Sequence, residues 1–156
     1  MSSPFSEPGT DQTVITSLTV NDPEAALAFY EKAFGAKIGE VARMSDNTIM
    51  HANFQIGNTA FYLSGEFSPM QAVSPLTLGG APACLCIRSE DCDAVFERAV
   101  AAGAEVLDPI QDRFWGERMG LLRDPSGYRW SISKTVETVT MADIERRLAE
   151  IGTPPQ

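Results

Sequence analysis

Histidine is almost missing from this chain: His51 is the single one among 156 residues. A metal centre built from several imidazoles is therefore excluded by composition alone. Basic side chains are also scarce, 12 against 21 acidic ones, for a formal net charge of -9. That balance argues against a phosphate-backbone partner, which requires a basic face, so no nucleic acid is expected. No run approaches the roughly 20 apolar residues of a membrane-spanning helix. Residues 1–6 lack a basic region followed by an apolar stretch, and the expectation is a soluble cytoplasmic protein with no membrane partner. Cysteine is limited to Cys84, Cys86 and Cys92. The first two alternate along an extended segment and sit too near one another to bridge, so reduced, buried thiols are expected. Glycine-rich phosphate loops, activated-serine elbows and zinc-ligand spacings are absent as well. The carboxylates Glu40, Glu66, Glu105, Glu117 and Glu137 show no spacing that pairs two of them for acid–base work.

What is present is repetition. Hydrophobic residues make up 44% of the chain, enough for a core shared by two small modules. Residues 22–35, followed by Ala36-Lys37-Ile38, share a plan with residues 91–103, followed by Ala104-Glu105-Val106. Each segment has an acidic helix start, an amphipathic helix, a glycine stop and a new strand. In the first, Asn21 or Asp22 caps, Pro23 takes the first helical position, and Ala26, Phe29, Tyr30, Ala33 and Phe34 form one face. In the second, Ser89 or Asp91 caps, and Cys92, Val95, Phe96, Ala99 and Val100 form the face. Strands are predicted over 14–20, 36–42, 48–56 and 59–63, then over 83–87, 104–107, 119–123 and 128–133. Asp124-Pro125-Ser126-Gly127 signals a turn. Thr140, with Asp143 three residues on, opens a last helix over 141–151.

The division expected is a disordered arm (1–12), a first βαβββ module (13–64), a linker (65–80), a second βαβββ module (81–134), and a C-terminal helix and tail (135–156). The linker carries a candidate flap at 67–73. The fold class is α+β, with paired βαβββ modules forming curved mixed sheets and helices outside.

Three phrases carry a family resemblance. The helix phrase at residues 22–36 resembles the first helix of the vicinal oxygen chelate superfamily, which includes glyoxalases, extradiol dioxygenases and bleomycin-resistance proteins. Phe114-Trp115-Gly116-Glu117-Arg118-Met119-Gly120 and Asp124-Pro125-Ser126-Gly127-Tyr128-Arg129-Trp130-Ser131 are similar to its PhnB-like subgroup, as is Ile49-Met50-His51-Ala52. The resemblance spans roughly residues 14–147 and implies a homodimer with a cavity inside the curved sheets. It also implies four metal-ligand positions, which fall near Ile15, Tyr62, Pro82 and Ser131. Two further histidines of the subgroup pattern are replaced by Tyr128 and Thr135, while its following glutamate remains as Glu137. Such residues are poor ligands for a divalent transition ion, so no metal and no cofactor are expected.

The candidate ligand-binding residues are Arg118, Tyr62, Trp115, His51, Tyr128 and Trp130, and no catalytic residue is named. Arg118 suits a carboxylate or phosphate, or a salt link to Glu117 or Asp124. Trp115, Tyr128 and Trp130 suit stacking on an organic molecule, or plain packing. His51 suits a ligand contact or a structural hydrogen bond. The leading reading is a metal-free small-molecule binding protein. A metal-dependent lyase, isomerase or dioxygenase with an atypical site, and a dimeric interaction module with a vestigial pocket, stay open beside it.

Overall fold

The computed structural model describes residues 12–152. Apart from Gln12, the expected N-terminal arm lies outside the described residues, as do the last four residues of the tail. The first module runs β1 (Thr16–Val20), α1 (Pro23–Phe34), β2 (Lys37–Arg43), β3 (Ile49–Ile56) and β4 (Thr59–Gly65). A 3-10 turn at Ser68–Met70 and the one-turn helix α2 (Pro75–Leu78) follow. The second module runs β5 (Cys84–Arg88), α3 (Cys92–Ala101), β6 (Glu105–Asp112), β7 (Glu117–Arg123) and β8 (Arg129–Thr135), before α4 (Met141–Ile151). The sheets have the orders β1-β4-β3-β2 and β5-β8-β7-β6. In each, the first strand pairs in parallel with the last and the other pairs are antiparallel. This is the expected α+β arrangement of two βαβββ modules with mixed sheets and peripheral helices.

Local chemistry sets the helix ends. The Asp22 carboxylate accepts the Ala25 N–H at 3.0 Å, Pro23 needs no N–H partner, and Gly35 takes the left-handed stop at φ 65°. Asp91 occupies the corresponding cap of α3 but makes no side-chain capping bond. At α4, Thr140 and Asp143 form the reciprocal box read from the sequence.

Two segments differ from expectation. Strand β6 continues to Asp112 through Pro109, whereas the strand predicted from the sequence covers only 104–107. Strand β6 lies at a sheet edge, and register shifts between Val106 and Gln111 accommodate the proline there. Within the linker, the Glu66 carboxylate accepts the Ser74 N–H at 2.8 Å and the Thr77 hydroxyl. Helix α2 is thereby seated on the 124–127 turn, where a Cβ on Gly127 would lie 2.9 Å from Pro75.

Alternation gives each sheet two unlike faces. Leu18, Val20, Phe54, Phe61 and Leu63 face the helix side in the first sheet; Leu122, Trp130 and Ile132 do so in the second. These side chains belong to one core running through both modules. Trp130 sits at its centre, with ring centroids 5.6 Å from Tyr30, 4.8 Å from Phe34 and 6.0 Å from Phe61. The Arg98 Nε donates to the Ala33 carbonyl at 3.0 Å, tying α3 to α1.

One carboxylate organises this seam. Asp124 is 4% exposed and accepts from the Tyr30 hydroxyl (2.6 Å), the Trp130 indole N–H (2.8 Å), and the N–H groups of Ser126 (2.9 Å) and Tyr128 (3.0 Å). Tyr128 then reaches the first module: its hydroxyl accepts the Thr19 N–H and donates to the Thr19 carbonyl, both at 2.9 Å. Burial pushes the Asp124 carboxyl above its ordinary value, against the pull of its four donors. Replacing Asp124 by Ala strands the Tyr30 hydroxyl and the Trp130 N–H. Each stranded donor costs about 1–3 kcal/mol, so a loss of roughly 2–6 kcal/mol is expected in urea unfolding. Native Asp124 also holds its proton more tightly than the unfolded chain does. Its contribution should therefore fall as pH rises from the ordinary carboxylate range through the native pKa. The stability difference between wild type and Asp124→Asn should shrink over that window; a difference constant with pH would contradict this account.

Candidate functional site

The face of each sheet turned away from its helix mixes polar, aromatic and aliphatic side chains. Tyr62 pairs with Asn53 and Ser17 across β3, β4 and β1, placing all three on that open face. His51 joins them by alternation, its ring 5.1 Å from Tyr62 in an edge-to-face arrangement. Burial lowers the imidazole pKa, which favours neutral His51 near pH 7. The Asn53 Oδ1 accepts the Glu40 N–H at 2.6 Å, where β2 bulges between Ile38 and Val41. In the second sheet the open face carries Met119, Leu121, Ser131 and Ser133, with Cys84 and Cys86 on β5.

The thiols depart in part from expectation. Cys92 is buried, Cys84 is half-buried and Cys86 is exposed, because β5 is an edge strand whose open face no helix covers. Burial is the largest influence raising the Cys84 and Cys92 thiols above their ordinary value.

The four positions that resemble metal ligands do not fit an ion. The Ile15 and Pro82 side chains carry no donor atom, so only the Tyr62 and Ser131 hydroxyls could donate. A divalent transition ion requires nitrogen, sulfur or carboxylate donors. Among the described residues, no group of three or more His, Cys, Asp or Glu side chains is placed to hold one.

The other candidates lie elsewhere. Arg118 shares the helix side with Gly120 and Leu122, and its partners are Asp93 and Asp112 rather than Glu117 or Asp124. Its Nε and Nη2 approach the Asp93 carboxylate at 2.8 and 2.6 Å, and its Nη1 approaches Asp112 at 3.0 Å. Trp115 donates to the Glu117 carboxylate at 2.9 Å, with the Arg113 guanidinium 5.9 Å from its ring centre. It borders an open recess of about 430 Å³ shared with Glu137, Val139 and Ile144. There Glu137 is gripped by Arg147 at 2.6 Å. Tyr128 and Trp130 belong to the seam described above.

Sequence reasoning did not find a second feature of that seam. A cavity of about 530 Å³ opens between β1–β4 and β5, lined by Phe34, Ile56, Phe61, Leu85, Arg88 and Trp130, among others. Phe34 and Phe61 read as ordinary core residues in the sequence, and nothing in their spacing marks a gap between modules.

The sequence model of the "Glyoxalase/Bleomycin resistance protein/Dioxygenase superfamily" matches residues 11–132. The uncharacterized protein Mb0911c of Mycobacterium bovis is 34% identical over 139 residues, covering 86% of this chain and 91% of that protein. TioX from Micromonospora sp. ML1 matches with a TM-score of 0.61 at 26% identity, over 83% of this chain and 100% of TioX. A PhnB protein from Bacillus cereus also gives a TM-score of 0.61, at 22% identity, over 80% of this chain and 100% of its own. That last likeness shows the fold alone.

The Arg118 clamp gives a test of its own. Hydrogen bonds from Arg118 hold the Asp93 carboxyl at about 2, so the pair stabilises the fold above the ordinary carboxylate range and fades as pH falls toward 2. Arg118→Gln should move the acid-unfolding midpoint to higher pH, read by circular dichroism; an unmoved midpoint would show that the clamp contributes nothing.

Proposed function

This chain belongs to the glyoxalase/bleomycin resistance protein/dioxygenase superfamily, and we propose that within it the protein is a metal-free small-molecule binder of the PhnB-like subgroup. An organic ligand lies on the open sheet face, against the Tyr62 and His51 rings. The observation that carries this reading is the chemistry of that face. Its aromatic, thioether, hydroxyl and amide groups suit shape and stacking contacts, whereas its would-be metal positions hold Ile15, Tyr62, Pro82 and Ser131.

The cup is completed by a second copy, giving a homodimer in the cytoplasm. Two features support this. The open faces of both sheets carry half-buried Tyr62, Met119 and Leu121 with no helix over them. Helix α4 also keeps Met141, Leu148 and Ile151 exposed at 69%, 43% and 60%, an apolar stripe suited to a partner surface. Among the described residues no helix is long and apolar enough to cross a membrane.

Protein purified without chelator should carry far less than one transition-metal ion per chain and sediment as a dimer. Stoichiometric zinc, nickel, manganese or iron that disappears in His51→Ala would replace this reading with a metal-dependent enzyme. With 8-anilinonaphthalene-1-sulfonate as probe, Tyr62→Ala should raise the Kd roughly tenfold, the loss of one stacking contact of about 1.4 kcal/mol. An unchanged Kd would remove Tyr62 from the ligand face.

A further inference from the structure

The two modules correspond position by position, and strand register defines the correspondence. Thr16 of β1 pairs with Phe61 of β4, as Leu85 of β5 pairs with Trp130 of β8. Phe61 and Trp130 are therefore equivalent, and both face the helix side. Two residues earlier, Thr59 is the counterpart of Tyr128. Ile56, paired with Thr59 across its turn, is the counterpart of Asp124, whose N–H bonds the Tyr128 carbonyl. Three residues beyond Thr16 and Leu85, Thr19 of β1 is the counterpart of Arg88 of β5.

The seam is closed at one of these positions and open at the other. In the second module the chain supplies a phenol of its own, and the Tyr128 hydroxyl satisfies both the N–H and the carbonyl of Thr19. In the first module a threonine stands where that tyrosine would be, and isoleucine replaces the aspartate. The result is the cavity of about 530 Å³, within the roughly 300–1,000 Å³ typical of small-molecule pockets. Phe34, Phe61 and Trp130 supply aromatic walls, and Ile56 and Leu85 supply aliphatic ones. Arg88 borders it, while the Arg88 guanidinium is engaged by the Thr135 hydroxyl at 3.2 Å. The Ser89 N–H turns toward β8, bonding the Ser133 carbonyl at 3.0 Å. By alternation the Arg88 N–H and carbonyl turn the other way, toward the seam. They are the counterparts of the two groups that Tyr128 ties in β1.

We propose that this cavity is a binding site for a small phenol, a planar aromatic ring bearing a hydroxyl. The ring occupies the space that the Tyr128 ring fills in the other module. Its hydroxyl accepts from the Arg88 N–H and donates to the Arg88 carbonyl. Its aromatic walls, Phe61 and Trp130, lie on the helix side of the sheets, and neither His51 nor Tyr62 lines it, so the site is separate from the His51 and Tyr62 face.

The test uses p-cresol, which is the tyrosine side chain as a free molecule, against toluene, which has its ring and methyl group without the hydroxyl. Calorimetric titration of the full-length protein should give a Kd for p-cresol on the order of 10⁻⁴ M, with toluene at least roughly tenfold weaker. Thr59→Tyr, which rebuilds the missing side chain, should abolish p-cresol binding and raise the Tm, whereas Tyr62→Ala should leave p-cresol binding unchanged. Amide and indole chemical shifts of the wild-type protein supply a readout independent of any variant's folding. On p-cresol addition they should move at Phe61, Leu85, Arg88 and Trp130. Absence of binding, equal binding of toluene, shifts confined to the open face, or binding that survives in folded Thr59→Tyr would each overturn the proposal.

Discussion

The buried carboxylate of Asp124 is the constraint on which the rest of the molecule depends. Four donors converge on it, one of them the hydroxyl of Tyr30 from the other module. A carboxylate this enclosed is tolerated only when its lone pairs are occupied. Its position therefore dictates where the turn, the indole of Trp130 and helix α1 must lie. The Tyr128 hydroxyl, positioned by the same turn, closes the contact with β1. Two modules that would each leave an apolar helix face uncovered thus share one core.

That shared core also determines which surfaces remain for other molecules. Because the helix sides of both sheets meet across the seam, their opposite sides face outward, carrying Tyr62 and His51 in one module and Met119 and Leu121 in the other. Three arginines of this acidic chain are engaged in holding elements together. Arg118 ties β7 to α3 and β6, Arg113 is paired to Asp108 at 2.7 Å, and Arg147 ties α4 to Glu137. These charged groups thus brace the frame, and the open sheet faces carry aromatic, thioether, hydroxyl and amide groups.

Much of the frame could be read along the chain. The capping residues of α1 and the capping box of α4 are local devices, and both helices end where those residues place them. Period-two alternation along the predicted strand over 59–63 likewise puts neighbours on opposite faces, with Phe61 in the core and Tyr62 on the open face. Strand β6 was less legible, since Pro109 reads as a breaker until its strand is known to be an edge strand. For Arg118, sequence proximity suggested Glu117 or Asp124 as partners. Asp93 is 25 residues away in the chain and becomes a neighbour only when α3 packs on β7. Cys86 was expected to be buried with Cys84, but edge position and open face together expose it.

By itself, then, the sequence determined the things that short-range chemistry controls: where helices start and stop, which strand residues share a face, that the plan occurs twice, and that imidazoles are too few for a metal centre of that kind. Tertiary structure alone decided which face became interior, how Asp124 passed from a turn residue to the centre of a buried network, and why one seam position is filled by a tyrosine while its counterpart is hollow. The physical reason is one of range. Caps and alternation act between residues a few positions apart, whereas burial and partner choice are settled only when segments distant in the chain exclude water together.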